Sequence, residues 1–366
     1  MSVSAMVKAQ RHRGPDDKGI YGWQGSSLSI AMGHNRLSII DISTDGHQPM
    51  EDAETGNVIV FNGEIYNFME LRTRLQSRGH VFRSKSDTEV TLKAYSEWGI
   101  QCVAMLRGIF AFAVWDNRTE RLILARDQMG VKPLYYYTDD HSLYFASEVR
   151  ALLSGGIPRK LSKDGLCSLL CYGSVQEPFT VIDNVYSLEP GCYAVIDNDM
   201  KLEKTVYWNP VLSESHILSV KDAEEETARL LKDSIKLQLV SDVPLGAFLS
   251  GGIDSSAIVA LMRQVNPDAD IRTFSIIFED PKYDEREYAQ LVAKRNHTQH
   301  TELLMTGKMV CESLPAMLRA YDQPSMDGMN SWCVSKLVKD SGITVALSGV
   351  GGDELFVGYG NFHKPR

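Results

Sequence analysis

Residues 244–256, Pro-Leu-Gly-Ala-Phe-Leu-Ser-Gly-Gly-Ile-Asp-Ser-Ser, set two glycines, a carboxylate and three hydroxyls directly behind an apolar run. Gly251 and Gly252 lack the side chains that would block close approach, so their backbone N–H groups can turn toward phosphate oxygens. Ser255 and Ser256 are expected to open a helix whose apolar positions Ile258, Leu261, Met262 and Val265 recur at helical spacing. One helix terminus offers an anion only ~0.3–1 kcal/mol, so a phosphate site here needs several groups acting together. An ordinary strand-to-helix turn with an N-cap is the alternative reading of Ser-Gly-Gly taken alone. The preceding apolar run favours the phosphate site. A strand buried on both faces, followed by an amphipathic helix, ends at the crevice where α/β sheets bind nucleotides.

The elements that must position this loop repeat the pattern. Residues 271–278 read as a second strand, a helix near Glu285 carries Tyr288, Leu291 and Val292, and residues 343–347 read as a third strand. That third strand runs into Ser348-Gly-Val-Gly-Gly-Asp-Glu354, a second glycine loop ending in acid. Two such loops, each closing a strand of one parallel sheet, can face one another, and Asp254 and Asp353 would then share Mg²⁺. The chemistry explains the need: a carboxylate resists nucleophiles until one oxygen becomes part of a phosphate-type leaving group, and Mg²⁺ neutralises the polyphosphate meanwhile. No Gly-x-x-x-x-Gly-Lys-Ser/Thr occurs, which excludes the commoner P-loop.

Ser250-Gly-Gly-Ile-Asp-Ser-Ser256 resembles the pyrophosphate loop of the ATP pyrophosphatases, and Ser348-Gly-x-Gly-Gly-Asp-Glu-Leu-Phe with Gly358-Tyr359 is similar to the second signature of glutamine-dependent asparagine synthetases. The first half extends the resemblance. Arg13-Gly-Pro-Asp-Asp17, Arg36-Leu-Ser-Ile-Ile-Asp41, Phe61-Asn-Gly-Glu-Ile-Tyr-Asn67, Ser86-Asp-Thr-Glu89, Arg107-Gly-Ile-Phe-Ala-Phe-Ala113, Ala125-Arg-Asp127, Lys132-Pro-Leu-Tyr135 and Phe145-Ala-Ser-Glu148 follow in order. Together they resemble the class II glutamine amidotransferase domain of those enzymes. The resemblance implies an α+β N-terminal domain of stacked antiparallel sheets flanked by helices, Ntn-hydrolase-like, over 1–208. It implies an α/β, parallel-sheet, ATP-pyrophosphatase-like domain over 220–366. It implies ATP on Leu249, Ser250, Gly251, Gly252, Asp254, Ser255, Ser256, Ile276, Ser348 and Gly349, and Mg²⁺ on Asp254 and Asp353. Asp353 and Tyr359 are the catalytic candidates, the latter beside the nucleotide. Glutamine is implied on Arg36, Asn62, Gly63, Glu64 and Asp87.

Read without the family, Arg36 can clamp a carboxylate, Asp87 can hold an α-ammonium and the backbone at Asn62-Gly63 can form an oxyanion hole. Each has a plainer alternative: Asn62-Gly63 is a hairpin-turn signal, Arg36 can pair with a nearby acid, and Asp87 can cap a helix from Thr88.

The sequence departs from the family in three places. Class II amidotransferases use an N-terminal cysteine, whereas this chain starts Met1-Ser-Val-Ser-Ala-Met-Val-Lys-Ala-Gln10, which reads as an amphipathic helix. The strand bearing the nucleophile is therefore expected to be missing and the glutaminase inactive as written. The chain stops at Lys364-Pro-Arg366, soon after the second loop, and so reads as cut at both ends. Val350 and Gln323 stand where an acid is common, which leaves aspartate or another carboxylate as acceptor. The expected activity is an ATP-dependent amide-forming ligase. The alternatives are a paralogue that only binds nucleotide, or a ligase of the β-lactam-synthetase type.

Composition agrees. At 366 residues and 43% hydrophobic content the chain can bury two cores, with a boundary expected near 200–222 and a helix from about Asp222 to Val240. A net charge of −9 without Lys/Arg clusters argues against nucleic-acid partners. No run approaches a membrane span and no signal peptide precedes Arg11, so a cytoplasmic enzyme acting on small-molecule substrates is expected, with a homodimer as a candidate assembly. The six cysteines form no Cys-x-x-Cys, and most are expected to be buried small hydrophobes. His297-x-x-His300 lacks the further ligands of a zinc site.

Overall fold

The computed structural model describes residues 3–26, 28–210, 219–280, 282, 284–326 and 328–359. Two units form, Met1–Leu212 with Tyr321–Met326, and Ser213–Ala320 with Asp327–Arg366.

In the first unit, apolar residues fill both odd and even positions of Val58–Ile65 and Gly108–Asp116, so these strands are buried on both faces. They form the centre of a six-stranded antiparallel sheet in the order Leu202–Val206, Cys192–Ile196, Arg121–Arg126, Gly108–Asp116, Val58–Ile65, Met50–Glu51. Ile59, Phe61, Phe110, Phe112 and Val114 pack with Leu71 and Leu75 of helix Phe68–Gln76 and with Val90 and Leu92 of helix Asp87–Trp98. Val58, Val60, Ala113, Trp115 and Leu124 pack the other way, with Met32 of the hairpin Asp17–Gln24/Ser29–Arg36 and with Leu134, Tyr136 and Leu188. Tyr136 belongs to a three-stranded antiparallel sheet, Leu143–Ala146, Tyr135–Thr138, Val185–Ser187. Helices Val3–Ala9 and Val149–Gly155 cover that layer through Met6, Val149 and Leu152. This is the stacked-sheet, helix-flanked α+β arrangement expected for the N-terminal domain.

The second unit is built on a parallel sheet in the order Gln299–Met305, Arg272–Phe278, Leu245–Phe248, Val345–Leu347. The chain steps outward from Leu245–Phe248 through two strands, then returns to its other side. The strand order therefore reverses between Leu245–Phe248 and Val345–Leu347, the switch point where the carboxyl ends of parallel strands open a crevice. Helices Val220–Gln238, Ile253–Val265 and Arg286–Arg295 supply Ile235, Val259, Met262, Ala289 and Ala293 to one core, and Val338 of helix Met329–Asp340 packs on Phe274 in another. The α/β architecture is the expected one.

Three local expectations change. The helix after the first glycine loop starts at Ile253, two residues early, because Gly252 in extended backbone is its N-cap, and Asp254 falls in the first turn. Helix Arg286–Arg295 turns Ala289 and Ala293 inward and leaves Tyr288 and Leu291 exposed. Cys102, Cys192 and Cys333 are buried, but Cys167, Cys171 and Cys311 are exposed on helix surfaces. Among the described residues no helix is long and apolar enough to cross a membrane.

Candidate active sites

The first loop is held by hydroxyls rather than by apolar packing. Ser255, buried at the start of Ile253–Val265, accepts the Ser250 N–H at 3.2 Å, exchanges a 3.0 Å hydrogen bond with the Ser250 hydroxyl and donates to the Gly252 carbonyl at 3.2 Å. Gly251 sits at φ +94°, with the Glu285 carbonyl oxygen only 2.9 Å from where a Cβ would be, so this turn requires glycine. The Leu249 side chain is fully buried, its N–H donates to the Phe274 carbonyl and its own carbonyl accepts the Ser275 hydroxyl. The resemblance implies ATP at Leu249, whose side chain belongs to the core. Ser256 and Ile276 are half-buried near the carboxyl ends of the same two strands.

The second loop lies against the first. A Cβ on Gly349 would stand 3.1 Å from the Ser255 nitrogen and 3.2 Å from the Asp254 Cβ, and one on Gly352 would stand 2.2 Å from Asp254 Oδ2. The Asp254 carboxylate thus rests on the backbone of the residue immediately before Asp353. Asp353 opens the short helix Gly352–Phe356 and packs on Gly358, where a Cβ would meet Asp353 Oδ1 at 1.9 Å. Ser348 accepts the Val350 N–H at 3.2 Å, while the Val350 side chain points into solvent. Tyr359 donates to Glu354 Oε1 at 2.8 Å. Among the described residues, no three His, Cys, Asp or Glu side chains converge as a metal cage.

In the first unit, Arg36, Asn62, Gly63, Glu64 and Asp87 all line one cavity of about 310 Å³. Asn62 and Gly63 are not a turn. They continue the strand Val58–Ile65, paired with Ala111 and Phe110, because Gly63 at φ +151° brings the strand so close to its neighbour that a Cβ would lie 2.0 Å from the Ile109 carbonyl. The Asn62 Nδ2 is buried without a hydrogen-bond partner, an orphaned donor of the kind a ligand satisfies.

The Arg36 side chain is taken up by backbone carbonyls. Its guanidinium donates to the carbonyls of Ser43, at 2.8 Å, Ile40, at 3.4 Å, and Asp41, a loop that closes over it at Gly46. Asp87 is not the cap of its helix either: Ser86 is, through the Thr88 N–H, and Asp87 Oδ2 instead accepts the Ile65 N–H at 2.9 Å. Burial pushes Asp87 up to about 7, with a further rise from nearby Glu64, against the Ile65 hydrogen bond. Burial also raises Glu64, offset by Lys132, and lowers Lys132 in turn.

Arg13 and Lys132 complete the wall with two further cations. Neither is singled out by its type alone; the signal the sequence carries for them is an arginine before Gly-Pro and a lysine before proline, each within an ordered motif. A second cavity, of about 530 Å³, shares His34, Phe61, Asn62 and Ser147 with the first. It runs between Ser29–Arg36 and Leu143–Ala146, each of which has one edge without a strand partner among the described residues. His34 donates its Nε2–H to the Phe61 carbonyl oxygen at 3.0 Å, and burial pushes the imidazole down to about 4, so it is neutral.

Residues 1–208 match the family described as "Glutamine amidotransferase domain" and residues 226–366 the family described as "Asparagine synthase". A Methanocaldococcus jannaschii protein named "Putative asparagine synthetase (glutamine-hydrolyzing) 2" is 37% identical, covering 98% of this chain and 72% of its own length. The chain belongs to the glutamine-hydrolysing asparagine synthetase family. Asparagine synthetases 1 and 3 of Bacillus subtilis are 36% and 35% identical over 97% and 99% of this chain, of which it spans 55% and 61% of their lengths. A solved glutamine phosphoribosylpyrophosphate amidotransferase of B. subtilis aligns with 94% of this chain and 78% of its own at 14% identity and a TM-score of 0.42, too low to bear on the fold. Within the asparagine synthetase family, then, this chain carries both an amidotransferase and a synthetase portion.

Proposed function

We propose that this chain contains the working parts of an ATP-dependent amide-forming ligase, with an amide-donor domain over 1–208 and a carboxylate-activating domain over 220–366. The observation that carries the reading is the pressing of Gly352 onto Asp254 at the switch point of the parallel sheet, which brings the two glycine-Asp loops together. The residues fit Mg·ATP: a glycine backbone that a Cβ would obstruct, two hard carboxylates, and hydroxyls at the start of a helix. Asp254 and Asp353 would hold Mg²⁺ with phosphate oxygens, and the ion would supply charge neutralisation at the polyphosphate. The loop of residues 250–252, with Ser256, Ser348 and Gly349, would cradle the phosphates while Ile276 bounds the nucleotide.

One oxygen of the acceptor carboxylate, aspartate in this proposal, attacks the α-phosphorus and expels pyrophosphate. Nitrogen from ammonia then attacks the acyl carbon, a proton is lost, and AMP leaves. In the amide-donor cavity, Arg36 and Arg13 face the glutamine α-carboxylate, Asp87 and Glu64 its α-ammonium, and Asn62 Nδ2 with the Gly63 backbone the side-chain carbonyl oxygen. No thiol is among the described side chains lining that cavity, so the activating half is tested with ammonium. Labelled pyrophosphate should exchange into ATP only with aspartate present, and ammonium should drive AMP release. Both should vanish in Asp254→Ala; exchange that persists in that variant would refute the assignment. The compartment proposed is the cytoplasm, supported by six cysteines without a disulfide.

A further inference from the structure

Tyr321–Met326 lies in sequence between helices Gly307–Ala320 and Met329–Asp340 of the second unit, yet it folds into the first. Its seat is polar and specific. Asp322 Oδ2 accepts the Val149 N–H at 2.5 Å, and Oδ1 accepts the Arg150 backbone N–H at 3.0 Å and its Nε–H at 3.1 Å. Gln323 Oε1 accepts the Val181 N–H at 3.2 Å, and the Met326 N–H donates to the Gly173 carbonyl at 2.9 Å.

The same Arg150 Nε lies 3.4 Å from Oε2 of Glu148. Glu148 is buried, and its Oε1 meets His12 Nε2 at 2.8 Å and Arg13 Nη1 at 3.3 Å. Arg13 lines the 310 Å³ cavity. One arginine is therefore shared by two carboxylates, and one of those carboxylates aims a cation of the cavity wall.

We propose that Asp322 is a positioning residue for the amide-donor cavity: by engaging Arg150 it leaves Glu148 to hold Arg13 in its binding orientation. The proposal rests on reading that cavity as the glutamine site. When Asp322 loses its charge, Arg150 shifts toward Glu148, Arg13 loses its orienting partner, and ordering it must be repaid each time ligand binds. Asn at 322 keeps the size, and its one oxygen can still accept one of the two backbone N–H groups, while Gln323 and the Met326 N–H keep the segment seated. Gln323 serves as the control, because it anchors the same segment without touching this chain of charges.

The experiment is calorimetric titration of the full chain with L-glutamine for wild type, Asp322→Asn, Gln323→Ala, Arg150→Met and the Asp322→Asn/Arg150→Met pair. Asp322→Asn should weaken glutamine at least ~5-fold, the lower end of ordinary coupling between sites. Gln323→Ala should stay within about 2-fold, and the loss should disappear in the Arg150→Met background, where Arg150 no longer competes for Glu148. Equal losses in Asp322→Asn and Gln323→Ala, or the same loss with Arg150 removed, would show that Asp322 merely seats the segment and overturn the proposal. A wild type that fails to bind glutamine while Arg36→Lys changes nothing would instead overturn the reading of the cavity.

Discussion

Asp87 is the residue where stability and binding pull in opposite directions. Its carboxyl is buried and pushed up to about 7, above the ~3.9 of an unfolded aspartate, so its neutral form favours the fold. That contribution is complete below about pH 4 and is lost as pH rises through about 7. Asp87→Asn should therefore match wild type near pH 4 and exceed it at pH 8 by up to about 4 kcal/mol, taking 1.36 kcal/mol per pH unit. Urea unfolding followed by tryptophan fluorescence suits the test, because Trp23, Trp98, Trp115 and Trp208 all lie in the first unit. Binding should run the other way. An ammonium partner needs the carboxylate, so glutamine affinity in wild type should rise between pH 6 and 8, and Asp87→Asn should lose that rise together with about tenfold or more in affinity. A wild-type affinity flat across that range would remove Asp87 from the ammonium site.

At the scale of elements, the strands that bear the chemistry were legible because their burial leaves a simple mark. Residues 271–278 and 343–347 are largely apolar runs, and they became the strands Arg272–Phe278 and Val345–Leu347. What escaped the sequence was set by contacts across distance. Asn62-Gly63 carries a turn signal, but the neighbouring strand at Ile109 and Phe110 holds it extended. Arg36 gives no hint that carbonyls of the loop at 40–43 will enclose it. That the two glycine loops face one another was legible, but not that Gly352 in particular, some hundred residues on, would lie against Asp254. This last contact gives an element-scale prediction. Gly352→Ala puts a methyl where Asp254 Oδ2 stands, so it should weaken Mg·ATP at least ~10-fold while the first unit keeps its urea midpoint. Unchanged nucleotide affinity would mean that the two loops do not act as one site.

For the whole molecule, the two architectures were readable from the ordered motifs, but the unit division was not fully so. The excursion of Tyr321–Met326 into the first unit depends on Asp322 and Gln323 finding backbone N–H groups of Val149, Arg150 and Val181, more than a hundred residues earlier, and no local pattern announces that. The linear boundary after residue 208 is thus only part of the division. The central claim, that aspartates at the mouths of two neighbouring parallel strands grip one magnesium-bound triphosphate, is tested most directly by calorimetric titration of Mg·ATP into the full chain, wild type against Asp254→Asn and Asp353→Asn. The account predicts one site per chain, with each substitution weakening it by about tenfold or more and the pair weakening it by less than the product of the two, as expected for ligands of a shared ion. Binding that is unaffected by either substitution, or losses that multiply as for independent sites, would contradict it.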